Sequence, residues 1–263
     1  LEFRRVLFRS HAEWVKIPWG NGAKDSLMAW IVYPVSAKKA PVVVVVHEIF
    51  GLSTWVRGVA DQVAADGFIA IAPDLVSRAR GGPSTDELSG DSARKIIGKV
   101  TNAEKDQGVQ AAAAYAMAQP SAEQRYGVVG YCWGGSTAFN HAVFNGKGLG
   151  AAVAYYGTPY TVRNPADSTK MIPAKDSLAK IKVPVMLLSG TGDARITAAM
   201  PDIDATMKAL GKSYEYTNYQ GAIHGFLRAQ DDTPDAAGQA NLAATKDAWP
   251  KTIAFFKKQL GVK

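Results

Sequence analysis

Short apolar runs alternate with amphipathic stretches along most of this chain. Residues 41–46, with the sequence Pro-Val-Val-Val-Val-Val, show no polar alternation, which is typical of a central strand buried on both faces. Residues 55–66 have the spacing of an amphipathic helix, which we expect to stop at Gly67. Strand-like and helix-like segments follow each other in this way to the end of the chain. This alternation predicts the α/β fold class, with a mostly parallel, doubly wound sheet between layers of helices.

The remaining predicted elements include one antiparallel pair and two long loops. Residues 13–18 and 27–33 are expected to form the antiparallel pair around a turn at Gly20-Asn21-Gly22. Residues 78–91, which are rich in Gly, Ser and Asp, and residues 158–176 are expected to form the loops. The other predicted strands are 68–72, 125–129, 151–155, 183–188 and 213–219, and the other predicted helices are 102–119, 136–144, 197–210 and 237–260.

The length and charge limit the classes of function. The chain has 263 residues, which suits one α/β domain that we expect to comprise residues 11–263. The net charge of +7 comes from scattered basic residues, so we expect solvated surface lysines, or a surface that draws anionic small molecules, and no nucleic-acid interface. No apolar stretch is long enough to span a membrane, so no membrane partner is expected. We expect a monomer.

Cysteine and histidine are sparse in this sequence. With one cysteine the chain cannot form an internal disulfide, which fits a reducing compartment without requiring one. The four histidines are scattered and form no ligand cluster with that cysteine, so we expect neither a metal nor an organic cofactor. Cytoplasmic and exported locations both remain open.

The first ten residues, Leu-Glu-Phe-Arg-Arg-Val-Leu-Phe-Arg-Ser, match the translation of a common short-read sequencing adapter. We therefore expect residues 1–10 to be an artefact of environmental DNA assembly and exclude them from fold reasoning. Their three arginines and one glutamate contribute +2 to the net charge of +7. On this interpretation the natural start is missing and a signal peptide would be invisible. A natural basic leader is the alternative, and continuous native DNA upstream of His11 would support it.

The strongest chemical signal lies at residues 130–135, Gly-Tyr-Cys-Trp-Gly-Gly. This segment falls between a predicted strand and a predicted helix, and it matches the pattern that places a nucleophile on a tight strand-to-helix turn, here Cys132. The amino end of the following helix is expected to lower the pKa of the thiol. The backbone N–H of Trp133 is expected to stabilise an oxyanion. The alternative is an inert buried cysteine.

A histidine base is expected to follow the nucleophile in the chain. His224, in the segment Gly-Ala-Ile-His-Gly-Phe, lies far enough beyond Cys132, whereas His141 falls inside the helix that follows the cysteine. We therefore predict His224 as the base. A loop histidine that only forms hydrogen bonds is the alternative.

An acid that orients the base is expected just after the strand 183–188. Asp193 occupies that position and would hold the tautomer of His224 and stabilise its imidazolium form. Asp202 and Asp204 are the alternatives, although both fall within the next predicted helix.

A further carboxylate follows the apolar strand 41–46. Glu48, in the sequence His-Glu-Ile-Phe-Gly, is expected at the carboxyl edge of the sheet, where it could accept the proton of a neutral thiol. The N–H of Ile49 would be the second oxyanion donor. The spacing lacks the second histidine of a metal motif, and a carboxylate that only caps a helix is the alternative.

Six motifs spread along the chain form a specific combination. They are His47-Glu-Ile-Phe-Gly51, Ala72-Pro-Asp-Leu75, Gly130-Tyr-Cys-Trp-Gly-Gly135, Tyr155-Tyr-Gly157, Gly192-Asp193 and His224-Gly-Phe226. This combination resembles the dienelactone hydrolase family over nearly the whole natural chain. The resemblance implies the α/β-hydrolase fold and a cysteine-dependent hydrolysis of a small-molecule lactone or ester, such as 4-carboxymethylenebut-2-en-4-olide giving maleylacetate. It also implies Cys132, His224 and Asp193 as a triad, with Glu48 activating the thiol when substrate arrives.

The resemblance further implies two arginines that bind a substrate carboxylate. By position these are Arg78, after the Pro-Asp-Leu motif, and Arg228, four residues after His224. Arg80 could substitute for Arg78. Arginine suits this role because its guanidinium can hold a carboxylate through two hydrogen bonds, and two solvated loop arginines are the alternative.

Three features depart from the family pattern and leave the particular lactone open. They are an enlarged loop at residues 81–91, the long loop at 158–176 and the bulky Trp133. Two other functions stay open on sequence grounds. One is a broad-specificity carboxylesterase with the same fold, and the other is a non-catalytic ligand-binding or thiol-sensing protein.

Overall fold

The computed structural model of the protein describes residues 11–19, 26–36, 38–84, 90–230, 232 and 234–262. The segment 1–10, expected to be non-native, and the turn expected at residues 20–22 lie outside these residues. In the described part of the chain, none of the helices combines the length and the hydropathy of a membrane span. The helices and strands, in chain order, are β1 (Ala12–Pro18), β2 (Ser26–Val32), β3 (Ala40–Val46), α1 (Thr54–Ala65), β4 (Ile69–Pro73), α2 (Ser77–Arg80), α3 (Gly90–Ile97), α4 (Asn102–Met117), β5 (Ala122–Tyr131), α5 (Trp133–Phe144), β6 (Leu149–Tyr155), β7 (Thr161–Asn164), β8 (Asp167–Pro173), α6 (Lys175–Leu178), β9 (Val185–Gly190), α7 (Ala194–Ala209), β10 (Tyr214–Tyr219) and α8 (Ala236–Leu260).

Eight of these strands form one sheet in the order β1-β2-β4-β3-β5-β6-β9-β10. β1 pairs antiparallel with β2, and β2 pairs antiparallel with β4, whereas the other pairs in this sheet are parallel. The predicted antiparallel pair and the mostly parallel sheet are thus confirmed. Because the central strands are parallel, their carboxyl ends meet at one edge of the sheet. The segments that follow β3, β5 and β9 at this edge carry Glu48, Cys132 and Asp193.

Strand β3 shows why its apolar run has no polar alternation. Val42, Val44 and Val46 belong to an apolar cluster that also contains residues of α4 and α5. Val43 and Val45 belong to a second cluster, which contains residues of α1 and α8. The two clusters cover opposite faces of the sheet, so all seven residues of β3 are buried.

Of the two segments predicted as long loops, residues 158–176 contain regular structure, so that prediction was wrong, whereas residues 81–84 of the other segment form neither helix nor strand. Within residues 158–176, β7 and β8 form an antiparallel hairpin in which Val162 lies opposite Ile172. Most side chains of the hairpin are exposed or half-buried, and an apolar alternation therefore does not mark its strands in the sequence. Within residues 78–91, α2 occupies the first part and α3 begins at Gly90.

The helices after β5 and β9 begin three residues earlier than the sequence predicts. α5 starts at Trp133 and α7 at Ala194. Asp193 caps α7, because its side chain accepts a hydrogen bond from the N–H of Ile196. Cys132 occupies the equivalent position before α5. Both residues therefore lie at helix amino ends on the same edge of the sheet.

Candidate active site

Cys132 lies on a tight turn between β5 and α5. Its φ of 56° and ψ of −116° fall in a region that residues with a side chain rarely adopt. The turn requires glycine nearby: a Cβ on Gly130 would lie 1.9 Å from the backbone oxygen of Gly134, and one on Gly134 would lie 2.3 Å from the backbone oxygen of Val46. The start of α5 therefore packs directly against the end of β3. This is the strand–turn–helix geometry that the motif predicts.

His224 and Asp193 lie in direct contact. His224 Nδ1 is 2.5 Å from Asp193 Oδ2, while Asp193 Oδ1 accepts the N–H of Ile196 at 3.3 Å. Asp193 is only 7% exposed, so its carboxylate has little freedom to turn away. An acid at Nδ1 leaves Nε2 available for proton exchange. Of the three aspartates considered from the sequence, the structure brings Asp193 to His224.

The two alternative acids lie further along α7, and the alternative histidine is buried elsewhere. Asp204 pairs with Lys208 one turn later, at 2.5 Å. His141 is fully buried within α5, where its ring contacts the hydroxyl of Tyr126 at 2.7 Å and Asp106 at 3.3 Å. These contacts tie His141 to its neighbouring elements and give it a different set of partners from His224.

Glu48 is buried and paired with one of the predicted arginines. The Nε of Arg228 donates to Glu48 Oε2 at 2.8 Å, and the Arg228 side chain also lies over the ring of Phe50. Glu48 is 4% exposed, and this burial raises the pKa of its carboxyl group. The charges of Arg228 and His224 oppose the increase but do not cancel it. Glu48 is therefore a stronger base than a carboxylate in water.

The Cys132 thiol is protonated at rest. Burial raises its pKa to about 11, and the charge of nearby Glu48 adds to the increase. The N–H of Trp133 and the charges of Arg195 and Arg228 lower the pKa, but by less. The expectation that the helix end would give a net lowering of this pKa is therefore wrong. The N–H at the start of α5 does lower the pKa, but the desolvation of the thiol raises it by more.

The two expected oxyanion donors belong to different segments of the chain. Trp133 opens α5 and Ile49 follows the end of β3. Within the described residues, neither N–H donates to a backbone carbonyl.

The structure separates the two predicted substrate arginines. Arg228 contacts Glu48, whereas Arg78 lies over the ring of Trp19 at 5.7 Å and 3.8 Å from Glu104. These two partners of Arg78 belong to the segment before β2 and to α4. Arg80 is half-buried, and its charge acts on the buried ring of His47.

A family model described as the dienelactone hydrolase family matches residues 27–260. The chain belongs to this family. A relative from Methylorubrum extorquens, named "putative carboxymethylenebutenolidase", is 32% identical over 252 residues, which are 94% of this chain and 81% of that protein. A relative of the same name from Synechocystis is 29% identical and covers 89% of this chain and 92% of that protein.

Solved structures of the family share the fold. The crystal structure titled "putative dienelactone hydrolase" from Klebsiella pneumoniae has a TM-score of 0.78 and 27% identity, and covers 94% of this chain and 98% of that one. The predicted α/β-hydrolase fold is thereby confirmed. The protein is a hydrolase of the dienelactone hydrolase family.

Sequence reasoning missed three residues that bear on this site. Arg195 lies in the first turn of α7, is exposed, and lowers the pKa of Cys132 by its charge. The hydroxyls of Tyr131 and Tyr156 are buried and have no hydrogen-bond partner among the described residues. Burial raises their pKa, and the charge of Glu48 adds to the increase. A usable signal existed, since each of the three lies within two residues of a residue or motif already singled out.

Proposed function

We propose that this member of the family hydrolyses lactone or ester bonds through Cys132, with His224 as base and Asp193 as its orienting acid. The observation that carries the proposal is the buried Glu48–Arg228 pair beside a protonated thiol. A nucleophile with a raised pKa needs a proton acceptor, and a buried carboxylate held by an exposed arginine can become one. The relatives named for carboxymethylenebutenolide hydrolysis support a carboxylate-bearing lactone as substrate.

Arg228 links substrate binding to thiol activation. Its side chain is 43% exposed while its partner Glu48 is 5% exposed, so a substrate carboxylate can reach the guanidinium from solvent. The incoming carboxylate would compete with Glu48 for Arg228. A Glu48 that loses this partner has a still higher pKa, because burial then acts without the opposing charge. Glu48 would then accept the proton of Cys132 and leave a thiolate.

The thiolate then attacks the carbonyl carbon of the lactone. A C–S bond forms, the carbonyl oxygen becomes an oxyanion, and the N–H groups of Trp133 and Ile49 stabilise it. Collapse of this intermediate breaks the ring C–O bond, and the ring oxygen leaves as an enolate that remains attached to the acyl group. A conjugated enolate is a good leaving group, so the ring opens without prior protonation.

Water completes the cycle by hydrolysing the thioester. The enolate or Nε2 of His224 takes a proton from the water, whose oxygen attacks the thioester carbon. Asp193 stabilises the imidazolium that forms when His224 is the acceptor, and the imidazolium then gives this proton to the enolate. The C–S bond breaks, and Cys132 recovers its proton from Glu48. The balance is one water consumed for each ester bond cleaved.

The alternative functions predict different kinetics. Turnover of 4-carboxymethylenebut-2-en-4-olide should exceed that of p-nitrophenyl acetate, whereas a broad carboxylesterase would favour the activated neutral ester. We expect Cys132→Ala to lower the rate of hydrolysis by at least about 10³-fold. Hydrolysis that persists in this variant would refute the role of the cysteine. Turnover of neither substrate by the folded protein would favour the ligand-binding function instead.

A further inference from the structure

The indole of Trp133 lies against the imidazole of His47. The ring centroids are 5.4 Å apart and the planes differ by 14°, which is an offset stack. Trp133 follows Cys132 directly, and His47 precedes Ile49 by two residues. Each ring therefore belongs to a segment that carries one of the two candidate oxyanion donors. Two N–H groups can reach one oxygen only if these segments keep a fixed separation.

His47 orients the peptide that carries the second donor. The N–H of Leu75 donates to His47 Nε2 at 3.1 Å, so the proton of the neutral ring lies on Nδ1, which donates to the backbone oxygen of Glu48 at 2.6 Å. That oxygen belongs to the same planar peptide unit as the N–H of Ile49. In a trans peptide the C=O and N–H point in opposite directions. Holding the Glu48 oxygen therefore sets the direction of the Ile49 N–H.

Lys105 holds the other member of the stack. Its Nζ lies 5.2 Å from the centre of the Trp133 ring, a cation–π contact made from α4. Lys105 is 8% exposed, and burial lowers the pKa of its amine. A largely buried lysine placed over an aromatic ring restricts the ring more than a solvated side chain would. The stack thus runs from α4 through Trp133 to His47.

We propose that His47, the Trp133 side chain and Lys105 are positioning residues that keep the Trp133 and Ile49 amides aimed at one oxyanion. The inference rests on the proposed function, because it concerns an oxyanion formed by attack of Cys132. It also accounts for the bulky residue after the nucleophile, since only a large aromatic side chain spans from α5 to both His47 and Lys105. A smaller side chain would lose the contacts with both His47 and Lys105.

The test compares ester hydrolysis with alkylation of the same cysteine. Iodoacetamide reacts with Cys132 at a methylene carbon and forms no oxyanion, so its rate reports on the thiol alone. Removal of one oxyanion donor lowers kcat by about 10²–10³-fold, and a misdirected donor loses part of that effect. We therefore expect Trp133→Leu to lower kcat by about 10–100-fold with little change in KM, while the alkylation rate stays within about 2-fold.

Lysine variants test the same stack without changing the turn that carries Cys132. Lys105→Met should lower kcat by about 3–10-fold, and Lys105→Arg should restore most of it because arginine also forms cation–π contacts. Lys251→Met is the matched control, since Lys251 on α8 also lies over an aromatic ring, that of Tyr219 at 5.8 Å. It should leave kcat unchanged.

Several outcomes would overturn the inference. An unchanged kcat in folded Trp133→Leu or in Lys105→Met would show that the stack does not position the donors. An equal fall in kcat and in alkylation would show general damage to the turn. If Trp133→Leu fails to fold, the pair Lys105→Met and Lys105→Arg still decides. Cys132→Ala serves as a separate arm: hydrolysis that survives it refutes the proposed function itself and not the stack.

Discussion

Replacing Arg228 with methionine should make the stability of the protein depend more strongly on pH. Methionine preserves much of the apolar stem but removes the guanidinium, which binds Glu48 at 2.8 Å and lies over the ring of Phe50. Glu48, 4% exposed, would then be buried without its ion-pair partner. Because burial already raises the pKa of Glu48 against the opposing charge of Arg228, the variant should raise it further.

The sign and size of the effect follow from this shift. A carboxyl group whose pKa is higher in the folded than in the unfolded state loses its stabilising contribution as the pH rises through that interval. Keeping Glu48 protonated costs about 1.4 kcal/mol for each pH unit above its unfolded pKa, so the ceiling between pH 5 and pH 7 is about 2.7 kcal/mol. Arg228 is 43% exposed, and water can replace part of its contact. We therefore expect the loss relative to wild type to grow by about 1–2 kcal/mol over this interval.

Urea denaturation at pH 5 and at pH 7 measures this difference directly. Arg125→Met is the control, because Arg125 is similarly exposed and pairs with Glu123 at 3.5 Å on the surface. It also donates to the carbonyl of Leu260 at 3.1 Å, so the variant can lose stability, but the loss should be the same at both pH values. The double variant Glu48→Gln with Arg228→Met should also lose the pH dependence. A stability loss of equal size at both pH values in Arg228→Met would refute the reasoning, because the carboxyl group would not be the group that responds.

Three further predictions concern the site. Asp193→Asn should lower kcat by about 10³–10⁴-fold without unfolding the protein, because the amide no longer fixes the tautomer of His224, and Asp204→Asn on the same helix should leave kcat near wild type; steady-state kinetics and circular dichroism check this. Alkylation of the free enzyme by iodoacetamide should be half-maximal near pH 11, and Arg195→Met should move that midpoint upward; a midpoint near pH 7 would contradict the buried, protonated thiol. Tyr131→Phe removes a buried hydroxyl that has no partner among the described residues, so thermal melting should show unchanged or higher stability, and a loss above about 1 kcal/mol would reveal an unrecognised bond.

The elements that define the fold and the nucleophile turn follow closely from local sequence. The valines of β3 predict a strand buried on both faces because each face meets its own apolar cluster. The glycines around Cys132 predict the tight turn because no larger residue fits there, as the contacts of Gly130 and Gly134 show. In both cases the signal lies in the residues themselves and does not depend on distant partners.

Features that depend on distant partners were harder to predict. The thiol pKa of Cys132 follows from burial and from Glu48, which is 84 residues away in the chain, while only the weaker helix effect is visible locally. The position of Arg78 was inferred from motif spacing, which does not determine that its side chain turns to Trp19 and Glu104. The hairpin of β7 and β8 is largely exposed, so its strands lack the apolar pattern by which buried strands are found.

The burial of Cys132 also matters before any substrate is met. In an unfolded or newly synthesised chain this thiol would have an ordinary pKa near 9.0, against about 11 in the folded protein. At neutral pH the unfolded chain therefore exposes about 100-fold more thiolate than the native enzyme. Since the thiolate is the form that oxidants attack, completing the fold protects the sole cysteine chemically. The protein is thus most vulnerable to oxidation during synthesis or partial unfolding, when β3 and β5 have not yet brought Glu48 and the thiol together.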